Sequence, residues 1–351
     1  MINSLPALGF KKDDKKVFGK HSGILFILAL ILSLFPVCQL RAAEVTNNSD
    51  EGAGSLRQAV ADAEAGEIIT FADSFTITLA SPITIDKDIV IDGGNSVTIS
   101  GGEATSIFKI TSGNVVISNI ILKDGLAKGG NGGVGRYGGR HGGGGGGAGM
   151  GGAIYAVDGV VTIENVTFQG NKAVGGNGGT QSDGSFTDYA GGGANSSLGS
   201  GGGRAGRYTT TRSELVGRSG GFGGGGGGGA NYGSVGGKGG QGGFGGGAGG
   251  SANYGYSDLS NLHGRKSDSV IARGGQFGGN GGRETVSNSA GSGGGGAGLG
   301  GALFIQGATV TIKNSSFTGN AVQNGVAGAA HNGMAGTDGQ AVGGAIFVYQ
   351  T

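Results

Sequence analysis

Carboxylates in the N-terminal half of this chain are the residues that come nearest to a catalytic or Ca²⁺-binding set. The candidates are Asp86, Asp88, Asp92 and Asp124. Lyases and hydrolases that act on polysaccharides cluster such carboxylates, often with Ca²⁺ and an Arg or Lys base. Here Asp86 and Asp88 flank Lys87, and Asp92 begins an Asp-Gly-Gly corner, so turn chemistry accounts for them. We therefore expect no catalytic residues, and we keep a polysaccharide-active enzyme as the alternative.

Histidine, cysteine and glycine patterns give no sign of a metal or cofactor. The four His are scattered: His21, His141, His263 and His331. No tandem Gly-Gly-x-Gly-x-Asp calcium repeat occurs, and no glycine run ends in Gly-Lys-Ser/Thr after a strand. We expect neither a metal nor a cofactor. A net charge of +1, from 24 basic and 23 acidic residues, also argues against a nucleic-acid partner.

The first 43 residues look like a secretory signal peptide. A lysine-rich start precedes an apolar run over residues 24–37, and Ala42 and Ala43 come after it. The run is shorter than the ~20 residues of a membrane span, although a buried or anchoring helix stays an alternative. Cys38, the only cysteine, lies in this region, so the mature chain would have no disulfide. We expect export to the extracellular space or outer-membrane surface of a Gram-negative-type bacterium.

A short amphipathic helix is predicted within residues 44–66, as a cap on the strands C-terminal to it. Ser55 and Gln58 have the spacing of a capping box. Leu56, Ala59, Val60 and Ala63 fall on one helical face. From residue 67 to 128 the apolar period changes to two, in runs of three to five residues separated by turns. We predict an all-β fold, a right-handed parallel β-helix of the pectin-lyase-like type.

One sequence unit recurs with every matched position 149 residues apart. The first copy contains Gly151-Gly152-Ala153-Ile154, Asn165, Phe168 and Asn171; the second contains Gly300-Gly301-Ala302-Leu303, Asn314, Phe317 and Asn320; a third begins at Gly343-Gly344-Ala345-Ile346. A weaker copy around Asn119 lies 46 residues before the first. Such self-similarity is the signature of stacked repeats.

Each repeat residue has a predicted structural role. The glycine pair permits a tight corner with positive φ. Asn119, Asn165 and Asn314 stack at another corner, where their amides bond one another. Phe168 and Phe317 stack in the core. Asn171 and Asn320 end the coil in left-handed geometry.

These motifs resemble the passenger regions of the chlamydial polymorphic outer membrane proteins, which repeat GGA[ILV] and FxxN. The resemblance covers about residues 52–174 and 297–351 and implies an autotransported, adhesin-like β-helix at the cell surface. Two departures are the long inserts and the lack of a C-terminal membrane barrel. We therefore expect a fragment that stops within its last coil, with any membrane anchor missing or separate.

Glycine dominates two inserts, residues 129–150 and 175–297, which separate the repeats of 151–174 and 298–351. Of the 351 residues 90 are Gly, and 129–150 holds 14. The inserts are either disordered or bundled as polyglycine-II strands. The long insert carries cations that are either solubilising or contact acidic polymers: Arg204, Arg207, Arg212, Arg218, Lys238, Arg265, Lys266, Arg273 and Arg283. Aromatic residues interleave with them: Phe186, Tyr189, Tyr208, Phe222, Tyr232, Phe244, Tyr254, Tyr256 and Phe277.

Three hypotheses for function result from these patterns. The first is a non-catalytic, adhesin-like or structural envelope protein that contacts host or neighbouring cells, glycans or matrix polymers. The second is a polysaccharide-active lyase or hydrolase. The third is an ice- or matrix-binding protein that works through an ordered glycine bundle.

Overall fold

The computed structural model describes residues 42–135, 141–181, 192–193, 202–207, 215–231, 236–253, 271–285, 289–330 and 332–349. Nearly all of the predicted signal peptide, with Cys38, lies outside these ranges. The described chain is mostly β-strand, and its strands form parallel sheets. Within the same ranges no helix has the length and apolar character needed to cross a membrane.

The N-terminal elements close one end of the sheets. Strand β1 (Ala42–Val45) and helix α1 (Leu56–Asp62) precede strand β2 (Glu67–Phe71), and β1 pairs with β2 in parallel. The Ser55 side chain accepts a hydrogen bond from the Gln58 backbone N–H, while the Gln58 side chain donates to Asp62 instead of returning to Ser55. The predicted helix is therefore present with half of its capping box. Strand β1 was not predicted, since four residues are too few to show a period.

The chain then passes through the sheets in five layers, each stacked on the one before. Layer 1 contains β2, β3 (Thr76–Thr78) and β4 (Ile83–Ile85); layer 2 contains β5 (Ile89–Ser100) and β6 (Phe108–Ile110); layer 3 contains β7 (Asn114–Lys123), β8 (Leu126–Lys128), β9 (Gly149–Met150) and β10 (Ile154–Ala156). Layer 4 contains β11 (Val160–Gln169) and β12 (Lys172–Val174); after the antiparallel pair β13 (Ala252–Asn253) and β14 (Ser289–Ala290) it continues with β15 (Gly298–Leu299) and β16 (Leu303–Ile305). Layer 5 contains β17 (Thr309–Lys313), β18 (Ser316–Thr318), β19 (Ala321–Gln323), β20 (Ala341–Val342) and β21 (Ile346–Val348).

Equivalent strands of successive layers pair in parallel and build four sheets. Sheet 1 has the order β1-β2-β5-β7-β11-β17, with β3 on β5 and β18 on β11; sheet 2 is β4-β6-β10-β16-β21; sheet 3 is β8-β12-β19; sheet 4 is β9-β15-β20. The register matches the sequence repeat, since Ile163 lies between Ile117 and Ile312. The offsets of 46 and 149 residues in the sequence are therefore the strand registers of layers 3, 4 and 5.

The inward side chains of the layers form a continuous core. Period-two alternation places every second side chain of a strand on the same face, and Ile91, Ile117 and Ile163 are fully buried there. Phe168 and Phe317 stack with ring centroids 4.6 Å apart and planes 1° from parallel. Each layer thus continues the apolar column of the previous one.

The two glycines of each GGA motif do different things. The first, at Gly151, Gly300 and Gly343, has a φ between +64° and +71°, which a side chain would strain. The second allows close approach of layers, because a Cβ built at Gly301 would lie 2.0 Å from the Gly344 carbonyl oxygen. The sequence prediction gave positive φ as the reason for the pair as a whole.

The asparagines divide into two groups. Asn119, Asn165 and Asn314 have φ values of +53°, +54° and +47°. The Asn165 Nδ2 donates to Asn119 Oδ1 at 3.0 Å, and Asn119 Nδ2 donates to Asp92 Oδ1 at 2.8 Å. A ladder of side-chain hydrogen bonds therefore runs from Asp92 through Asn119 to Asn165, and the three asparagines at this corner adopt the left-handed conformation that asparagine tolerates.

The left-handed geometry predicted for Asn171 and Asn320 is wrong. Gly170 and Gly319 have that geometry instead, with φ of +66° and +65°. Asn171 is fully buried; its side chain accepts from the Gly125 N–H at 2.8 Å and donates to the Leu122 carbonyl at 3.0 Å. Its role is to bridge layers, because backbone groups buried at this corner need partners.

Candidate functional site

Three glycine-rich inserts leave the layers at the same point. They connect β8 to β9 (residues 129–148), β12 to β15 (175–297) and β19 to β20 (324–340). The motif pattern predicted repeats throughout 298–351, and the third insert was missed. The sequence does contain a sign of this third insert, because its glycines recur every three residues, at Gly325 and Gly328 and again at Gly333, Gly336 and Gly339.

Hydrogen bonds in the inserts have a period of three residues. In the segment 142–149, Gly142 and Gly145 donate to Gly229 and Gly226, running antiparallel to the segment 223–230. The next residues of each triplet, Gly143 and Gly146, donate to the segment 291–297, and Gly144 and Gly147 donate to 129–135. Three residues per turn is the period of the polyproline-II helix, whose backbone groups all point outward. We call this assembly of described insert segments the glycine bundle.

Central segments of the glycine bundle have neighbours on every side. The segment 142–149 is hydrogen-bonded to six others: 129–135, 174–181, 192–193, 223–230, 245–252 and 289–299. The segment 291–297 also has six: 142–149, 174–181, 245–252, 277–284, 323–330 and 334–342. Such packing excludes side chains, since a Cβ built at Gly146 would lie 1.9 Å from the Gly176 carbonyl oxygen. Glycine is therefore required at such positions, and other buried residues of the interior include small ones such as Ala248 and Ser292.

Three phenylalanines fasten the glycine bundle to sheet 2. Phe222, Phe244 and Phe277 occupy turns between segments and pack against side chains on the outer face of that sheet. Phe244 lies 6.2 Å from Phe304 and 4.3 Å from Tyr349, measured between ring centroids. Strand β10 is buried on both faces, because Ile154 points to the layer core and Tyr155 to this second apolar cluster. These three aromatic residues are thus partly buried in packing contacts.

The cations of the long insert lie on the rim of the bundle. Six of the nine fall within the described ranges, and all six are exposed: Arg204, Arg207, Arg218, Lys238, Arg273 and Arg283. The other three, Arg212, Arg265 and Lys266, lie outside the described residues, as do six of the aromatic candidates: Phe186, Tyr189, Tyr208, Tyr232, Tyr254 and Tyr256. His21, His263 and His331 also fall outside.

Asp86 lies between β4 and β5, and the side chains of the other three candidate carboxylates contact neighbouring groups. Asp88 accepts a hydrogen bond from the Asn114 backbone N–H at 2.7 Å, and this bond lowers the pKa of Asp88. Asp92 accepts from the Gly94 N–H and from the Asn119 amide, and Asp124 lies 3.8 Å from Lys123. Within the described ranges, no three His, Cys, Asp or Glu side chains come together as a metal site.

A shallow cavity of about 350 Å³ opens beside Asp92 at the layer 1 end of sheet 1. Its lining includes Asp73, Asp92, Ser74 and Ser96, but no Lys, Arg or His. A glycan lyase or hydrolase needs a base and a separate acid or cation near the scissile bond. The lining supplies two carboxylates, Asp73 and Asp92, a residue type that glycoside hydrolases use in pairs, together with hydroxyls but no cationic or imidazole side chain.

Neither the scan against protein-family models nor the search of curated proteins gives a match for this chain.

Proposed function

We propose that the five layers are coils of a right-handed parallel β-helix. Support comes from the parallel pairing of equivalent strands in four sheets and from the continuous apolar column inside them. Crossover connections between parallel strands of one sheet are right-handed in about 98% of cases. Helix α1 and strand β1 would then cap the first coil, because an open coil exposes apolar surface and unpaired strand edges.

We further propose that this β-helix is an exported surface scaffold, adhesin-like or structural in the cell envelope, that displays the glycine bundle and acts by contact. The observation that carries the proposal is the common exit point of the three inserts in layers 3, 4 and 5. Insertions at one position of a stacked repeat gather on one face, which is often the binding face. A display scaffold must carry its inserts on one face while its core stays intact.

We propose contact and not catalysis as the role of the site. Turn hydrogen bonds account for Asp88 and Asp92, and the cavity beside Asp92 lacks a cationic or imidazole partner. The resemblance to the chlamydial outer membrane proteins, drawn from the GGA and FxGN motifs, also implies an adhesin-like role without catalysis. We therefore propose that glycans or cell surfaces are bound and released unchanged.

A swap of the long insert tests the display role. Replacing residues 175–297 with a second copy of 129–148 keeps a connection whose length layer 3 already uses, but it removes most bundle segments. We expect the variant to lose binding to cells and to glycan surfaces while its far-UV circular dichroism still shows β-structure. Unchanged binding would move the contact surface to the coils. Turnover of a polyuronate that disappears in Asp92→Asn would overturn the non-catalytic proposal.

A part of the rim whose described residues include one charged side chain, Asp338, favours a second candidate, ice or matrix binding. Exposed side chains recur there every three residues: Asn177 and Thr180; Gln323, Val326 and Ala329; Met334, Thr337 and Gln340. A rigid array with a short period can match an ordered surface. Thermal hysteresis in solutions of the purified protein would support this candidate, and its absence at millimolar concentration would exclude ice.

A further inference from the structure

Six cations form a belt across five neighbouring rim segments of the glycine bundle, residues 202–207, 215–220, 236–243, 271–276 and 278–285. We name as the cationic belt the residues Arg204, Arg207, Arg218, Lys238, Arg273 and Arg283. Backbone hydrogen bonds place their segments side by side. Arg218 N donates to Arg204 O at 2.8 Å, Gly217 N to Lys238 O at 2.9 Å, Gly242 N to Arg273 O at 3.1 Å, and Gly281 N to Ala272 O at 2.9 Å.

Bundle packing fixes the outward direction of the belt. Only glycine or a very small residue fits where a segment faces its neighbours, as at Gly203 and Gly206, where a Cβ would meet a carbonyl oxygen at 1.8 and 2.2 Å. The residues between them, such as Arg204, are exposed. The backbone thus holds the cationic side chains in fixed rows at no cost in core packing.

The belt is not neutralised by its surroundings. Within the described part of the chain, no hydrogen bond or ion pair engages the side chains of Arg204, Arg207, Arg218, Lys238 or Arg273. The sixth, Arg283, donates to the Met334 sulfur at 3.2 Å. The five segments carry one acid, Glu284, which accepts a hydrogen bond from Ser251.

Charge is therefore separated within a nearly neutral chain. Six cations less one acid give the five belt segments +5, and the whole chain has +1, so the remainder carries −4. Cations concentrated on one face raise the local concentration of anions there and steer them to it. A solubilising role would not require such segregation.

We infer that the cationic belt binds an acidic polysaccharide laid across the five segments. The inference rests on the proposed contact function and names its ligand class. Neighbouring hydrogen-bonded segments lie about 4.8 Å apart, and Arg204 and Arg207, three residues apart, are separated by about 9 Å along the segment. Five of the six cations are arginine, whose planar fork binds carboxylate and sulfate in bidentate fashion. A polymer with an anionic group on each sugar or disaccharide has its charges at spacings comparable to these separations between cations.

The described belt lacks what single-stranded nucleic acid would use. Proteins that bind such strands combine a basic groove with aromatic side chains on which bases stack. The aromatic residues of the described inserts are Phe222, Phe244 and Phe277, and all three pack in the cluster against sheet 2. Predicted export also places the belt where acidic polysaccharides are found.

Binding of sodium alginate by the full chain tests the inference. The belt variant carries Arg204→Gln, Arg207→Gln, Arg218→Gln and Arg273→Gln. The matched control makes the same charge change on the layers, with Lys109→Gln, Lys123→Gln, Lys128→Gln and Lys313→Gln. We expect the wild type to bind alginate in a salt-sensitive way and neutral dextran not at all. The belt variant should bind alginate at least tenfold more weakly, with the control within twofold of wild type.

Several results would overturn the inference. Equal losses in the two variants would show an effect of net charge alone, and an unchanged belt variant would place the contact elsewhere. Tighter binding of oligo-dT than of alginate at the same salt would assign the belt to nucleic acid. Cell binding separates the two proposals: if the insert swap abolishes it and the belt variant does not, the display function stands and the ligand class fails. Unchanged melting temperatures of both Gln variants would show that folding is intact.

Discussion

The second glycine of the GGA motif allows a comparison within one molecule. Gly301 in layer 4 and Gly344 in layer 5 occupy the same repeat position. A Cβ built at Gly301 would lie 2.0 Å from the Gly344 carbonyl oxygen and 2.6 Å from that of Ala321. A Cβ at Gly344 would meet no heavy atom within 4 Å. Gly301→Ala therefore tests layer packing, and Gly344→Ala is its control.

The expected magnitude results from two opposed effects. Forcing a methyl group into a packed interior costs about 1–3 kcal/mol, and the upper end applies here because two backbone oxygens obstruct it. Against this, replacing glycine by alanine stabilises by about 0.4–1 kcal/mol through the unfolded chain. Gly301→Ala should therefore lose about 2 kcal/mol of the free energy of unfolding, and Gly344→Ala should be neutral or slightly stabilised.

Thermal unfolding measures this difference. For a domain of 150–250 residues, 2 kcal/mol lowers Tm by roughly 4–8 °C. Tyrosine fluorescence can monitor the transition, since the chain has no Trp. Because stacked repeats can unfold in parts, hydrogen exchange of the β16 and β21 amides should accompany it, with protection lost in Gly301→Ala. Equal melting temperatures for the two variants would refute the close-packing argument.

Three further predictions concern side chains. Burial raises the pKa of Tyr155, so the neutral phenol stabilises the folded state fully below the unfolded pKa of about 10, and this stabilisation is lost as pH rises above that value. Between pH 8 and 11 the Tm of Tyr155→Phe should therefore fall less than the Tm of wild type. Parallel Tm curves for the two proteins would contradict the prediction. Phe244→Ala should speed hydrogen exchange in residues 215–253 while β7 stays protected, because Phe244 joins the glycine bundle to sheet 2. A uniform loss of protection would show that the bundle and the layers unfold together. Asn171→Ala removes the hydrogen bonds that the Asn171 side chain makes to the Gly125 N–H and the Leu122 carbonyl, which should lower the free energy of unfolding by about 1–3 kcal/mol. Its urea midpoint should lie well below that of the control Asn165→Gly, which changes an exposed residue with φ of +54°. Equal midpoints would count against the bridging role of Asn171.

The layers were predictable because their side chains have a period. Alternating apolar residues predicted strands, and the offsets of 46 and 149 residues gave a register in which Ile117, Ile163 and Ile312 lie side by side. Helix α1 was predictable from the spacing of Leu56 and Val60, which the structure buries. Positional repeats carry this information because inward side chains must match from layer to layer.

The bundle was harder to predict because glycine has no side chain to show a face. Disorder and an ordered bundle were both open, and the arrangement of segments depends on backbone hydrogen bonds that no residue pattern specifies. The clue in 324–340 was the spacing of glycine by three. The left-handed geometry of Asn171 was predicted wrongly because asparagine serves equally as a left-handed corner or as a buried amide.

The position of the segment 142–149 in the bundle has a consequence for the order of assembly. This segment precedes most of its six neighbours in the chain. The N–H groups of Gly143, Gly146 and Gly149 have acceptors only once the segment 291–297 is in place. Layers can form in succession as the chain emerges, but the bundle closes only after about 150 further residues, and distant contacts form slowly. Until then, glycine's large conformational entropy favours an open chain. If the chain is exported as we propose, it would therefore cross the membrane before the glycine bundle closes and become rigid only afterwards.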